Sequence, residues 1–428
     1  MFLALPERMM RLCNALYGAP FTLRLIGRTM VLVHEPEAVR QVLSGQDSRL
    51  VMSDYNHVLE PIVESESVLL LDDERHGRYR KLLMEPFRRS QIQSHYAGME
   101  ARCAAHLARL RPGQRVSAFD LYEQITLEII LVLLLGPLDA EPLRSLRETL
   151  QPVTHVSLPL LTVPLLRRDL GPLSPGRRFS RGRARLSATL DGLIADRRAA
   201  VERGEVPPGL LTGWVGIRDE QGEAMSNLVL RSMIMTIIVT GHETTAAGLS
   251  WSLTHLLHSP EAAARLEEEL RGASTLEQLD ELPWLDAVCR EALRIAPVLP
   301  AVPRTVREPV TISGCELPAG VEATPLAFYS HRNPRIFEEP ERFNPERFIG
   351  RKYSPYEYYP FGGGPRMCLG WAFGLGQMKV LLATTLRRLR LERAEAKAPV
   401  GTWRQVTWIP KGGGLFQVGA TRELKASK

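Results

Sequence analysis

The stretch from Ser226 to His258 is apolar nearly all the way round its helical repeat, with Ser226 placed to cap its start and Pro260 to stop it. A helix with no polar face to give to water has to cross the interior of a large core. The chain can supply one: it has 428 residues, 44% hydrophobic and 24% charged, with a mean hydropathy of −0.11. That composition excludes disordered and fibrous classes. The helical period dominates residues 74–300, with further helices expected over Gln91–Leu110, Asp120–Leu135, Ala184–Glu202, Glu261–Arg271 and Leu285–Ala296. A last helix is expected over Leu369–Arg388. Phe21–Gly27 and Thr29–Val33 read as a hairpin turning at Gly27-Arg28, and Glu37–Leu43 as a short helix after Pro36. Short strands and Pro/Gly-rich loops follow residue 300. Pro152, Pro159, Pro164, Pro172 and Pro175, set among leucines, predict an irregular apolar loop. The fold class is mainly α with a minor β part, as one domain over residues 1–428 without internal repeats.

Basic residues number 54 against 48 acidic, a formal net charge of +6. Only seven are lysines, and the arginines read as spread along the chain and mixed with acids, a pattern that does not point to nucleic acid. A basic face for an acidic partner protein stays open. Cys13, Cys103, Cys289, Cys315 and Cys368 are odd in number, widely spaced and without a CxxC, which argues against a disulfide framework or a structural zinc site and fits a reducing cytoplasm. The longest apolar run, Ile129–Leu135, is far short of the ~18–20 residues that span a bilayer. Met1–Arg8 is broken by Pro6 before any signal-peptide core forms. The expectation is a soluble cytoplasmic protein with no membrane anchor.

Chemistry concentrates in Phe361-Gly-Gly-Gly-Pro-Arg-Met-Cys368-Leu-Gly370, immediately before the last helix. Glycines let a backbone approach a bulky planar ligand, because no Cβ intervenes. A thiol near a helix N-terminus beside Arg366 is favoured as thiolate, which is a nucleophile or a metal ligand. A phosphate loop fits poorly: GxGxxG from Gly362 would need glycine where Met367 stands, and GxxxxGK[ST] is absent. A cysteine nucleophile would need a base, and the segment holds no histidine. A plain buried cysteine is the remaining alternative.

Phe361, Gly364, Arg366, Cys368 and Gly370 nonetheless fill every position of FxxGxRxCxG, and the segment resembles the haem-ligand loop of the cytochrome P450 family. Glu291-Ala-Leu-Arg294 resembles that family's ExxR, and Phe343-Asn-Pro-Glu-Arg347-Phe348 its meander motif. Thr240-Gly241-His242-Glu243-Thr244-Thr245 is similar to its oxygen-activation motif. Gly241 and the adjacent threonines lower helix propensity, so a kink that admits water is expected there.

The resemblance implies the cytochrome P450 fold, with the long helix over a haem b and the cysteine loop before the last long helix. It implies Cys368 as the iron ligand, Phe361 in the cofactor site, and Glu291, Arg294 and Arg347 as a structural lock. Glu243 and Thr244 become the acid and alcohol that deliver protons. His76, Arg80, Arg304 and Arg366 become partners of the haem propionates. The pocket would draw on Val239, Thr240, Val298, Leu299 and Trp408, within Tyr55–Leu59, Leu158–Leu166, Met235–Thr240, Val298–Val302 and Thr407–Ile409. Two departures stand out: Thr240 where a small apolar residue is usual, and Gly374 and Gln377 where alanine and glutamate are common.

The implied activity is a monooxygenase that puts one oxygen atom of O2 into a hydrophobic small molecule. That molecule would be a terpene, polyketide, macrolide or fatty-acid derivative, hydroxylated or epoxidised in bacterial secondary metabolism. A monomer fed by ferredoxin and ferredoxin reductase is implied. The alternatives are a peroxide-driven peroxygenase, against which Glu243-Thr244 argues, and a non-catalytic haem-thiolate binding or sensor protein.

Overall fold

The computed structural model describes residues 7–25, 27–84, 87, 89–171, 174–218, 222–397 and 400–421. Most of the Met1–Arg8 segment therefore lies outside the described residues, as does the side chain of Leu158. The chain forms two compact units, one from Met1–Met52, Phe87–Ile125 and Glu243–Lys428, the other from Ser53–Pro86 and Thr126–His242.

The first unit carries the sheets. Phe21–Leu25 and Arg28–Val33 pair antiparallel through a turn at Gly27, whose φ of +75° favours glycine. Glu322–Pro325 joins in parallel, followed by Arg304–Val306 and Leu50–Val51, both antiparallel. The helix Pro36–Leu43 buries Val39, Val42 and Leu43 against this sheet. The last helix, Trp371–Arg388, is buried from Leu375 to Leu386 and packs on Tyr96–Leu107, Glu243–Leu257 and Pro283–Ile295. Its packing needs small residues: a Cβ on Gly376 would stand 2.6 Å from the Tyr96 hydroxyl, and one on Gly248 would stand 3.0 Å from Met378 Sδ. The Gln377 side chain is buried there with neither amide atom hydrogen-bonded.

The second unit is helical. Ala140–Thr154, Pro175–Glu202 and Asn227–Gly241 bury Leu146, Leu150, Leu186, Leu190, Ile194 and Ile234. Arg231 ties Asn227–Gly241 to Pro175–Glu202 and to the end of the short helix Glu60–Val63, with Nη1 2.7 Å from Asp191 Oδ1 and Nε 3.2 Å from Glu64 Oε2.

Several expectations change. The 152–176 segment is largely helical: Leu158–Thr162 and the 3₁₀ turn Pro164–Arg167 follow Ala140–Thr154, and the next long helix begins at Pro175. Proline lacks the N–H that the first turn of a helix leaves unused, so Pro159, Pro164 and Pro175 open helices here. Pro152 lies inside its helix, where Gly182 leaves room for it. Gln91–Leu110 is two helices, Arg89–Ser94 and Tyr96–Leu107, separated at His95. The helix before Pro260 stops at Leu257, as expected to within one residue, and Pro260 also starts the next helix, Pro260–Gly272.

Ser226 caps as expected, its Oγ accepting from Val229 N, but the long helix is interrupted at His242 into Asn227–Gly241 and Glu243–Leu257. Local chemistry explains the break. Thr236 and Thr240 hydroxyls donate back to the carbonyls of Ser232 and Thr236, at 2.6 and 2.7 Å, a habit that weakens helices. The His242 carbonyl accepts the Thr126 hydroxyl at 3.0 Å. A Cβ on Gly241 would stand 2.9 Å from Ile130 Cδ1.

Candidate active site

The cysteine loop is shaped by backbone hydrogen bonds. Gly362 N donates to Tyr359 O, Met367 N to Gly364 O and Cys368 N to Phe361 O, at 3.0, 3.0 and 2.8 Å. Gly362 and Gly364 take φ of +71° and +63°, where side chains are strained. A Cβ on Gly364 would lie 1.9 Å from Leu43 O, and one on Gly45 would lie 2.3 Å from Pro365 Cδ. Gly364 is thus required by the Leu43–Gly45 turn packed on it, beyond any approach to a ligand. The turn leaves Cys368 exposed, while Cys103 and Cys289 are buried and their thiols pushed up to about 12 by desolvation. Cys368 is chemically accessible, and those two are packing residues.

Glu291, Arg294 and Arg347 meet as the motifs imply. Arg294 forks onto Glu291 at 2.6 and 2.9 Å, and Arg347 Nε donates to the same carboxylate at 3.1 Å. The Glu291 and Arg294 side chains are wholly buried. Arg294 also donates to the carbonyls of His331, Pro340 and Arg342, at 2.7, 2.8 and 3.3 Å, and Asn344 N donates to Glu291 at 2.8 Å. Fork geometry and rigid carbonyls together leave this guanidinium one orientation.

The lock reaches the cysteine loop through a residue that sequence reasoning missed. His331 accepts Tyr359 N on its Nε2 at 3.0 Å, while its own carbonyl takes Arg294. Burial, and then the nearby Arg294 and Arg332 charges, hold its imidazole well below the usual histidine range. The ring is therefore neutral and free to accept at Nε2. Tyr359 O then receives Gly362 N, the first bond of the loop, and the Tyr359 hydroxyl meets Ser330 Oγ at 2.6 Å. No local motif marks His331, because its partners lie 28 and 37 residues away.

Glu243 opens the helix Glu243–Leu257 and is buried, with Thr244 half-buried beside it. Thr407 Oγ1 lies 2.7 Å from Glu243 Oε1 and 3.0 Å from Arg404 O. Thr407 belongs to the hairpin Gly401–Arg404/Thr407–Pro410, which the Trp251 indole N–H holds at Trp408 O, 2.8 Å away. Arg404 fastens the same hairpin to Glu123, at 3.1 Å. As an acid holder Thr407 was also missed, for it lies 164 residues from Glu243.

The sequence profile of the family described as "Cytochrome P450" matches residues 4–415. The chain belongs to the cytochrome P450 family. The provisionally named cytochrome P450 135B1 of Mycobacterium tuberculosis is 33% identical over 424 residues, 98% of this chain and 89% of its own. The provisionally named cytochrome P450 138 of the same species is 32% identical over 405 residues, 93% of this chain and 88% of its own. Among solved structures, the cytochrome P450DA heme domain superposes with a TM-score of 0.84 at 22% identity, covering 97% of this chain and 93% of that one. Retinoic acid-bound cyanobacterial CYP120A1 does so with a TM-score of 0.84 at 21% identity, covering 98% and 95%. The fold is the cytochrome P450 fold.

Cytochromes P450 are haem b monooxygenases, and the residues of this one suit the cofactor. The first unit offers an accessible thiol on a loop braced from behind, and the guanidinium of Arg304, buried in the strand Arg304–Val306 with Nη1 3.0 Å from Pro303 O. Arg366 and Phe361 are half-buried in the loop itself. Leu299 projects its side chain, 43% exposed, between buried Val298 and Pro300. In the second unit His76 is buried and Arg80 half-buried on the helix Asp73–Met84, while Glu74, Arg75, Gly77 and Arg78 are exposed. The i, i+4 spacing thus puts both on one inward face.

The pocket residues are brought together in part. Trp408 N donates to Val298 O at 2.9 Å, which joins those two segments. The Trp408 indole packs over Gly401 and against Trp251, Ile295 and Ala296, so that its surface is engaged. Val239 is half-buried and Thr240 exposed in the second unit, the Thr240 hydroxyl directed to Thr236 O. Among the described residues, no single helix is long and apolar enough to cross a membrane.

Proposed function

We propose that this cytochrome P450 inserts one oxygen atom of O2 into an apolar small molecule, by hydroxylation or epoxidation, with electrons from a ferredoxin and its reductase. The observation that carries the reading is the buried Glu243, fixed by Thr407 at the head of its helix with Thr244 next in sequence. Bound haem supplies the splitting of dioxygen. Cys368 holds the iron from a loop that cannot shift without breaking the His331–Tyr359 bond. Arg304, Arg366, His76 and Arg80 neutralise the propionates, and Phe361 packs at the cofactor. Thr244 orients a water by its hydroxyl, and Glu243 passes it a proton.

The Thr407 hydroxyl suits both states of that acid. When Glu243 is ionised, Thr407 donates to its carboxylate. When Glu243 is protonated, it donates to Thr407, whose own proton turns to Arg404 O. We assign substrate contact to Val239, Thr240, Val298 and Leu299, and their mainly apolar character supports a terpene, polyketide or fatty-acid derivative and a place in bacterial secondary metabolism. The match over residues 4–415 supports one P450 domain.

The test is the ferrous carbon-monoxide difference spectrum of the protein beside Cys368→Ser, followed by product formed per NADH consumed. A strongly red-shifted Soret band absent from the variant is expected. Glu243→Gln is expected to lower turnover by roughly 10²–10⁴-fold, the usual span for losing a proton donor. Thr407→Val should lower product per NADH with the Soret band retained, while Thr407→Ser restores it. An unchanged band in the Cys368→Ser variant would sink the ligand assignment.

A further inference from the structure

The net charge of the chain has an address. Residues 167–185 contain seven arginines and one acid, Asp169, a net +6, which equals the formal net charge of all 428 residues. The remainder of the chain is balanced, so the arginines are not evenly mixed with acids after all. Arg177 lies 3.7 Å from Asp169, and the other six make no ion pair among the described residues.

These arginines surround an apolar tip. Val163, Leu165, Leu166 and Leu170 are 42%, 55%, 38% and 63% exposed, four of the thirteen exposed large hydrophobic side chains among the described residues. Their segment lies on the first turn of the helix Pro175–Glu202: a Cβ on Gly176 would stand 2.1 Å from Arg168 O and 2.6 Å from Leu166 O. Pro164, Arg167, Arg168 and Arg183 line one cavity of about 510 Å³ with Phe179, so the loop and helix cations share a place. Arg177 to Arg185 occupy about 12 Å of helix axis.

We propose that this part of the second unit seats on an anionic lipid surface, the aliphatic tip entering the headgroup layer and the arginines meeting lipid phosphates. Unpaired cations around bare aliphatic side chains are the pattern of peripheral membrane contact. Arginine is common at protein interfaces too, but there it accompanies aromatic and methionine side chains, whereas the exposed apolar residues of this patch are all aliphatic. The contact is peripheral and needs no spanning helix. It uses no residue of the cysteine loop, of the Glu291–Arg294–Arg347 lock or of the Glu243–Thr244 pair, although Val163, Leu165 and Leu166 come from a segment expected to line the substrate pocket.

Flotation of the full-length protein with vesicles tests it. Binding is expected to vesicles of phosphatidylcholine mixed with phosphatidylglycerol, to be absent with phosphatidylcholine alone, and to fall steeply as salt rises. Arg181→Gln/Arg183→Gln/Arg185→Gln should weaken it roughly fivefold per arginine, on the order of 100-fold in all. Leu165→Ser/Leu166→Ser should weaken it with the salt dependence kept. Arg109→Gln/Arg111→Gln/Arg115→Gln, which removes equal charge from exposed positions of the first unit, should leave binding unchanged. Circular dichroism shows that each variant folds. Vesicles left unbound at low salt would overturn the proposal, as would equal losses in the two arginine triples. So would patch variants that lose only an acidic-protein contact.

Discussion

Behind the cysteine loop, Arg294 is wholly buried and spends its fork on Glu291 and its remaining N–H groups on three backbone carbonyls. On the Pro175–Glu202 helix, Arg178, Arg181, Arg183 and Arg185 stand exposed with no ion pair among the described residues. One residue type does opposite work in the two places. The buried fork leaves the backbone around the haem ligand a single geometry, whereas the bare cations order nothing and shape only the field outside. In a chain so rich in arginine, what a given arginine does is read from where its N–H groups go. Stability should follow the first set, and long-range attraction the second.

The comparison breaks most visibly at the centre of the lock. Glu291→Gln leaves Arg294 and Arg347 buried without a counter-charge, and should destabilise the protein by about 3–5 kcal/mol. The denaturant midpoint of the haem-loaded protein measures it. A loss under about 1 kcal/mol would mean that the carbonyls alone hold the two guanidiniums.

Burial, with arginine charge second, also governs nearby histidines. His255 is stacked between Trp251 and Phe343, and burial, then the charges of Arg332, His258 and Arg294, lower its pKa to about 3. Unfolding frees it to take a proton below about pH 6.5. Its contribution is therefore fully present above that pH and is lost as pH falls from 6.5 toward 3. The slope is about 1.4 kcal/mol per pH unit, or about 2 kcal/mol at pH 5. His255→Phe keeps the stack and should flatten that part of the stability–pH curve. An unchanged slope would locate the acid sensitivity elsewhere.

Much of the lock was legible because its chemistry is local: Glu291 and Arg294 are one helical turn apart, and the cysteine loop carries its own glycines. The ties that make it rigid were not, since His331, Tyr359 and Thr407 contribute through contacts dozens of residues distant, and a lone histidine or threonine has no periodicity to betray it. The proline-rich stretch misled for a different reason. Proline breaks a helix in its middle but starts one at its first turn, and sequence alone does not say which position Pro159, Pro164 or Pro175 holds. The arginine patch was overlooked because composition averages over length.

Between the extremes lies Arg231, whose side chain is 17% exposed and whose partners Glu64 and Asp191 are 7% and 38% exposed. Arg231→Met should cost about 1–2 kcal/mol, less than the lock because water reaches Asp191 and more than a surface pair because Glu64 is left buried. A cost equal to that of Glu291→Gln would show that burial of the carboxylate alone sets the scale.

The smallest effect is the most telling. Arg181→Gln/Arg183→Gln/Arg185→Gln removes three charges without breaking an ion pair among the described residues, so the denaturant midpoint should move by no more than about 0.5 kcal/mol. Like charges crowded on one helix repel, and at low salt a slight stabilisation is the expected sign. The same variant is the one that should lose vesicle binding on the order of 100-fold. A triple substitution silent in stability and large in association would separate the two kinds of arginine by measurement. A marked loss of stability would show that the patch holds the fold together, and the contrast with Arg294 would collapse.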